Sequence, residues 1–144
     1  MDFLQKKSKI VIIISNYKFP MSNQNQISND INKKFDLAKR TSDFSLSCIK
    51  FIKDIKISVI NHNIINQLLR SATSIGANYM EADCAESRKD FVHKISICKK
   101  EAKETTYWFH LLSEAEPDIK DGCRILWKEA HELTLIFSAI INRT

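Results

Sequence analysis

The sequence predicts an all-α protein, an antiparallel up-down four-helix bundle with a short, disordered N-terminal extension. Three observations carry this. Two Gly and two Pro in 144 residues leave few places for the chain to turn, so its elements are long. After residue 30, apolar residues recur at steps of three and four through four successive segments, the spacing of helices with one inward face. The later segments are separated by only a few residues, which makes consecutive helices antiparallel neighbours. One domain of this length buries a sizeable core. Residues 1–29 form the extension and residues 30–144 the bundle.

The extension differs from the rest. Ile10-Val11-Ile12-Ile13-Ile14 is too short to cross a membrane, and a signal peptide would need a longer apolar stretch and a small-residue cleavage site. Lys18-Phe19-Pro20 ends the run, and Met21 to Gln26 is polar and low in complexity. The segment reads as disordered, or as a mis-assigned stretch upstream of a start at Met21. An edge strand or docking arm is the rival reading.

The first helix begins near Asn29 or Asp30, either of which supplies an N-cap, and its seam is Leu37, Thr41, Phe44, Cys48, Phe51 and Ile55. It fades between Lys56 and Asn61. The second runs from about Asn61 to Ala85 with Ile65, Leu68, Ala72, Ile75, Tyr79 and Ala82 inward. Ser87, with Asp90 three residues on, opens the third as an approximate capping box. Its seam is Phe91, Ile95, Cys98, Ala102, Thr105, Phe109 and Leu112, and Pro117 stops it. The fourth starts near Lys120 and carries Leu126, Ala130, Leu133, Phe137 and Ile140.

Charge and cysteine content narrow the function classes. The net charge of +5 is concentrated at the start: residues 1–34 carry +4 and the remaining 110 residues only +1. Bulk charge is therefore weak support for a polyanionic partner. Cys48, Cys84, Cys98 and Cys123 form no C-x-x-C pair, and they read as buried, reduced thiols of a cytoplasmic protein. Nothing marks an activated thiol or a Gly-rich phosphate loop, so catalytic residues are not assigned and the chain does not read as an enzyme. A di-iron bundle needs paired E-x-x-H motifs, and only Asp90-x-x-His93 comes near one; no metal or cofactor is expected.

The most distinctive stretch is Arg70 to Glu81, where Ser71, Ser74, Gly76 and Ala77 interleave with the seam of the second helix. Residues this small let a neighbouring backbone approach closely. Gly within a helix costs roughly 1 kcal/mol relative to Ala, so Gly76 asks for a packing reason. Arg70, Ser74, Asn78, Glu81, Glu101 and Glu104 are expected to form a polar network between the second and third helices, because buried polar groups must be paired. Arg70 would bridge carboxylates within the bundle or across a subunit boundary.

Arg88, Lys89, Lys94, Lys99, Lys100 and Lys103 load the third helix and are the candidate nucleic-acid contacts, with Lys99 and Lys103 one turn apart on a shared face. Lys50, Lys53 and Lys56 add a second basic group. The blander reading of such a run is a solvated surface with Glu–Lys pairs one turn apart. Glu114, Glu116, Asp118, Asp121, Glu129 and Glu132 make the C-terminal part acidic, a division that would also suit head-to-tail subunit contacts.

Gln67-Leu68-Leu69-Arg70-Ser71-Ala72-Thr73-Ser74-Ile75-Gly76-Ala77-Asn78-Tyr79-Met80-Glu81-Ala82 resembles the Q-L-R-R-A-x-x-S-I-x-x-N-I-x-E-G hallmark of the four-helix-bundle family that includes the 23S ribosomal RNA intervening-sequence proteins. A second block, Lys94 to Leu112, is similar to that family's third helix, and the likeness covers roughly residues 30–142. Tyr79 stands where Ile is usual and Ala82 where Gly is usual, the latter expected to straighten or extend the second helix. The resemblance implies a small bacterial cytoplasmic protein without catalytic activity. A related branch, the accessory proteins of diversity-generating retroelements, forms pentameric barrels that engage nucleic acid and a reverse transcriptase. By resemblance, then, the partners are other copies of the chain in a homo-oligomer, a pentamer, together with RNA or DNA or a protein, and no membrane. In a pentamer even a weak basic stripe would gain phosphate affinity by avidity. The alternative is a self-assembling scaffold or adaptor that binds only proteins.

Overall fold

A computed structural model describes residues 36–144; the expectations for residues 1–29, and for a first helix beginning near Asn29 or Asp30, fall outside the described residues. Four α-helices follow one another: α1, Leu37–Lys53; α2, His62–Asp83; α3, Arg88–Ala115; and α4, Lys120–Arg143. A single 3-10 turn, Pro117–Ile119, joins the last two. This is the all-α four-helix bundle read from the periodicity.

Local chemistry fixes each boundary. Lys50 and Lys53 occupy the last turn of α1, where cations offset the carbonyl end of the helix dipole. The α1–α2 connection is organised by Asn61, whose side chain is fully buried. Its carbonyl oxygen accepts from the Ser58 amide (2.8 Å), and its amide donates to the Lys56 carbonyl (2.9 Å) and to Glu116 Oε1 (2.7 Å). One asparagine thus shapes the loop and ties it to the end of α3. Ser87 is extended, and its hydroxyl accepts from the Asp90 amide at 3.1 Å, an N-cap for α3. Pro117 pushes Glu116 out of helical geometry (φ −131°, ψ 77°), and α4 starts after one tight turn.

The inward seams meet in one core. Phe44, Leu68, Ile75, Ile95, Phe109, Leu112, Leu133 and Phe137 are completely inaccessible to solvent. Tyr79, Phe91 and Ile140, read as seam residues, are only half-buried. Tyr79 lies with its ring 6.3 Å from that of Phe137. Ile55 follows the end of α1 and is half-buried in the turn. Helix α3 packs along both α2 and α4, while α1 packs mainly on α2 and touches α4 over a shorter stretch.

The small residues of α2 serve two neighbours. Towards α1, the Ser45 hydroxyl donates to the Ala72 carbonyl at 3.2 Å, a bond that needs the two helices close together. Towards α3, the Thr105 hydroxyl donates to Ser71 Oγ at 2.9 Å, and Cys98 Sγ lies 3.5 Å from the Ile75 carbonyl. Gly76 faces α1, but a methyl group there would sit 3.5 Å from the Thr41 carbonyl oxygen and 3.6 Å from Ser45 Oγ, ordinary contact distances. The close approach therefore accommodates Ala as well, and Gly76 is not required by packing within the bundle. Ala82 is buried, and α2 continues one residue past it.

Candidate functional site

The six polar residues of the α2–α3 network separate into distinct groups. Arg70 is the hub of one. Its guanidinium donates to Glu101 Oε1 and Oε2 at 3.3 and 3.2 Å and to Glu104 on the same helix. Glu104 also accepts from the Trp108 indole at 2.9 Å. The hydrogen bond from Arg70 holds the Glu104 carboxyl below the usual carboxylate range. Glu81 pairs with Lys94 instead. The Asn78 amide turns back to the Ser74 carbonyl (2.9 Å), and the Ser74 hydroxyl to the Arg70 carbonyl (2.7 Å), so these two bonds stay inside α2.

That pairing has a consequence for α3. Its acids Asp90, Glu101 and Glu104 are half-buried, turned away from the outer surface. Its exposed residues are Arg88, Lys89, His93, Lys99, Lys100, Lys103, Tyr107, His110 and, at the far end, Glu114. Lys89, His93, Lys100, Lys103, Tyr107 and His110 succeed one another at helical steps, giving a stripe about 30 Å long at 1.5 Å per residue. From Arg88 to His110 the exposed face carries five fixed cations and no carboxylate. Of the candidate contacts, Arg88, Lys89, Lys99, Lys100 and Lys103 lie on it, while Lys94 is half-buried and paired with Glu81. From Arg88 to His110, α3 thus segregates its charges, with acids half-buried and all but one of its bases outside.

A second arginine cluster lies at the α1–α4 contact. Arg40 Nε and Nη2 donate to Glu129 Oε1 and Oε2 at 2.6 and 2.9 Å, and Nη2 also donates to Glu132 Oε2 at 2.7 Å. The Arg40 and Glu129 side chains are 9% and 7% exposed. Sequence reading missed this pair by assigning Glu129 to a general acidic region. The signal was its register: Glu129 lies three residues after Leu126 and four before Leu133, on the inward face, where an acid needs a cation.

The thiols correct one expectation. Cys48, Cys98 and Cys123 are buried, but Cys84 is exposed just past the end of α2. Burial pushes Cys98 and Cys123 up to about 12, and it raises Cys48 as well, with the help of the Glu129 charge, so these three are held as unreactive thiols. Among the described residues no cluster of His, Cys, Asp and Glu is arranged to hold a metal ion, and no helix is long and apolar enough to cross a membrane.

The sequence model of the 23S rRNA-intervening sequence proteins matches residues 33–137. Among solved structures, a protein of unknown function from the S23 ribosomal protein family of Bacteroides thetaiotaomicron is similar, with 33% identity and a TM-score of 0.65 over 72% of this chain and 96% of that one. Among curated proteins none matches.

Proposed function

The chain belongs to the 23S rRNA-intervening sequence protein family, and on that premise we propose that it is a non-enzymatic cytoplasmic protein that binds nucleic acid along the outer face of α3. The observation that carries this reading is the carboxylate-free exposed face from Arg88 to His110. A helix that pairs Glu101 and Glu104 with a neighbour and turns its bases outward suits phosphate contacts, which need cations and not a specific pocket. Tyr107, 53% exposed among the lysines, adds an aromatic surface of the kind that stacks on bases. The reading includes assembly of several copies, a pentamer by resemblance, so that the stripe is repeated and gains avidity.

Titration of a structured RNA at low and moderate salt tests it. Binding that weakens steeply with salt, and is lost when Lys99, Lys100 and Lys103 are changed to Glu, supports the reading; no binding at low salt refutes it.

A protein-only scaffold is the second reading. It draws on apolar side chains left in solvent: Leu46 and Ile49 on α1, and Ile57, Val59 and Ile60 in the following loop, with Val59 97% exposed. Light scattering gives the assembly size. Self-association without RNA binding favours the scaffold.

A further inference from the structure

The cationic face of α3 runs at its C-terminal end into an open groove of about 440 Å³ between α3 and the start of α4. Its polar rim is formed by His110 and Glu114 from α3 and by Lys120, Asp121 and Arg124 from α4, with Trp127 as its aromatic wall. Trp127 is 37% exposed, and its indole lies parallel to the His131 ring, 5.1 Å between centroids and 9° between planes. The stack fixes the orientation of the indole while part of it stays accessible. Lys120 pairs with Glu114 at 3.2 Å, while Arg124 and Asp121 stand exposed.

We propose that this groove takes one unpaired nucleobase of a single-stranded RNA segment, stacked against Trp127. Its flanking phosphates would lie on Arg124 and, two turns back along α3, on Lys103. The proposal rests on the reading that α3 binds nucleic acid, and it names the form of the ligand. The volume lies within the range of about 300–1,000 Å³ usual for small-ligand sites, enough for a single base. A preoriented aromatic ring recognises any base by its π-face. Asp121 supplies an acceptor for the exocyclic amino group of a cytosine or adenine. A base within a duplex is stacked on both sides and cannot enter. The arrangement therefore separates single strands from duplexes, a distinction that the lysine stripe cannot make.

The test compares a single-stranded RNA oligonucleotide with a blunt duplex of the same length by fluorescence anisotropy, using the full chain, Trp127→Ala, and the Lys99→Glu/Lys103→Glu double variant. The proposal predicts that Trp127→Ala loses about tenfold or more in affinity for the single strand and retains its affinity for the duplex. The double variant should weaken both. In a Trp108→Phe background, where Trp127 is the remaining tryptophan, the single strand should quench the indole emission and the duplex should not. Unchanged single-strand affinity in a folded Trp127→Ala variant, with both RNAs still sensitive to the lysine changes, overturns the groove and leaves the α3 reading standing. Failure of both RNAs to bind the wild-type chain at low salt overturns the α3 reading itself and the groove with it. Helical circular dichroism confirms that each variant is folded.

Discussion

Arg40 and Arg70 make the same kind of contact in opposite surroundings. Each guanidinium engages two carboxylates on a neighbouring helix, Glu129 and Glu132 for Arg40, Glu101 and Glu104 for Arg70. Arg40 is 9% exposed and Arg70 is 45% exposed. Around Arg40 there is little water to replace a lost partner, so its pairing is a condition of packing α1 against α4. Around Arg70 water can take over, so the pair adds little to stability. What it does instead is hold Glu101 and Glu104 in the seam and leave the outer face of α3 to cations. One cluster serves the fold; the other shapes the surface.

The largest effect should come from breaking the buried cluster. Arg40→Ala leaves Glu129 buried without its cation and is expected to cost about 3 kcal/mol or more in chemical denaturation. Equal losses for Arg40→Ala and Arg70→Ala would erase the distinction drawn between them. Asn61→Ala should come next, at about 2 kcal/mol, because it leaves the Ser58 amide, the Lys56 carbonyl and Glu116 without their partner. A variant as stable as wild type would mean that the α1–α2 loop is held by something other than Asn61.

Arg70→Ala should cost no more than about 1 kcal/mol. Its pH dependence identifies the source. Arg70 lowers the folded-state pKa of Glu104, so the associated stability is complete above the usual carboxylate range and disappears as pH falls through the lowered value. The difference between wild type and Arg70→Ala should therefore be present at neutral pH and vanish on acidification. A difference that persists in acid would assign it to packing. The same variant should weaken RNA binding, since Glu101 and Glu104 are then no longer neutralised. Gly76→Ala should have the smallest effect, a gain of about 0.5 kcal/mol, because the added methyl makes ordinary contacts and the helix loses a flexible residue. A marked loss, or altered assembly, would place Gly76 against another subunit.

Much of this was legible in the chain, and the gaps have physical causes. The four helices, the Ser87 cap and the stop at Pro117 follow from periodicity and local backbone chemistry, which depend on neighbours in sequence. Arg70 with Glu101 and Glu104 was accessible because α2 and α3 form a tight hairpin whose register the short turn constrains. Arg40 with Glu129 was not, because 89 residues separate them and no local rule sets how α1 meets α4. Asn61 was read as the beginning of a helix, since its bond to Glu116 also spans a long separation. For the surface, counting charge along the chain gave a near-neutral bundle. Only the burial of Glu101 and Glu104 revealed that one face is cationic.

On the proposed reading, this face binds nucleic acid through its fixed cations. The most direct measurement is the salt dependence of RNA binding for the wild-type chain and for the Lys99→Glu/Lys100→Glu/Lys103→Glu variant. Each phosphate contact with a single strand contributes about −0.7 to the slope of log K against log salt. The variant should therefore bind more weakly at low salt, with a slope shallower by about 2. Equal affinity and equal slope in the two proteins would show that these lysines do not contact the RNA.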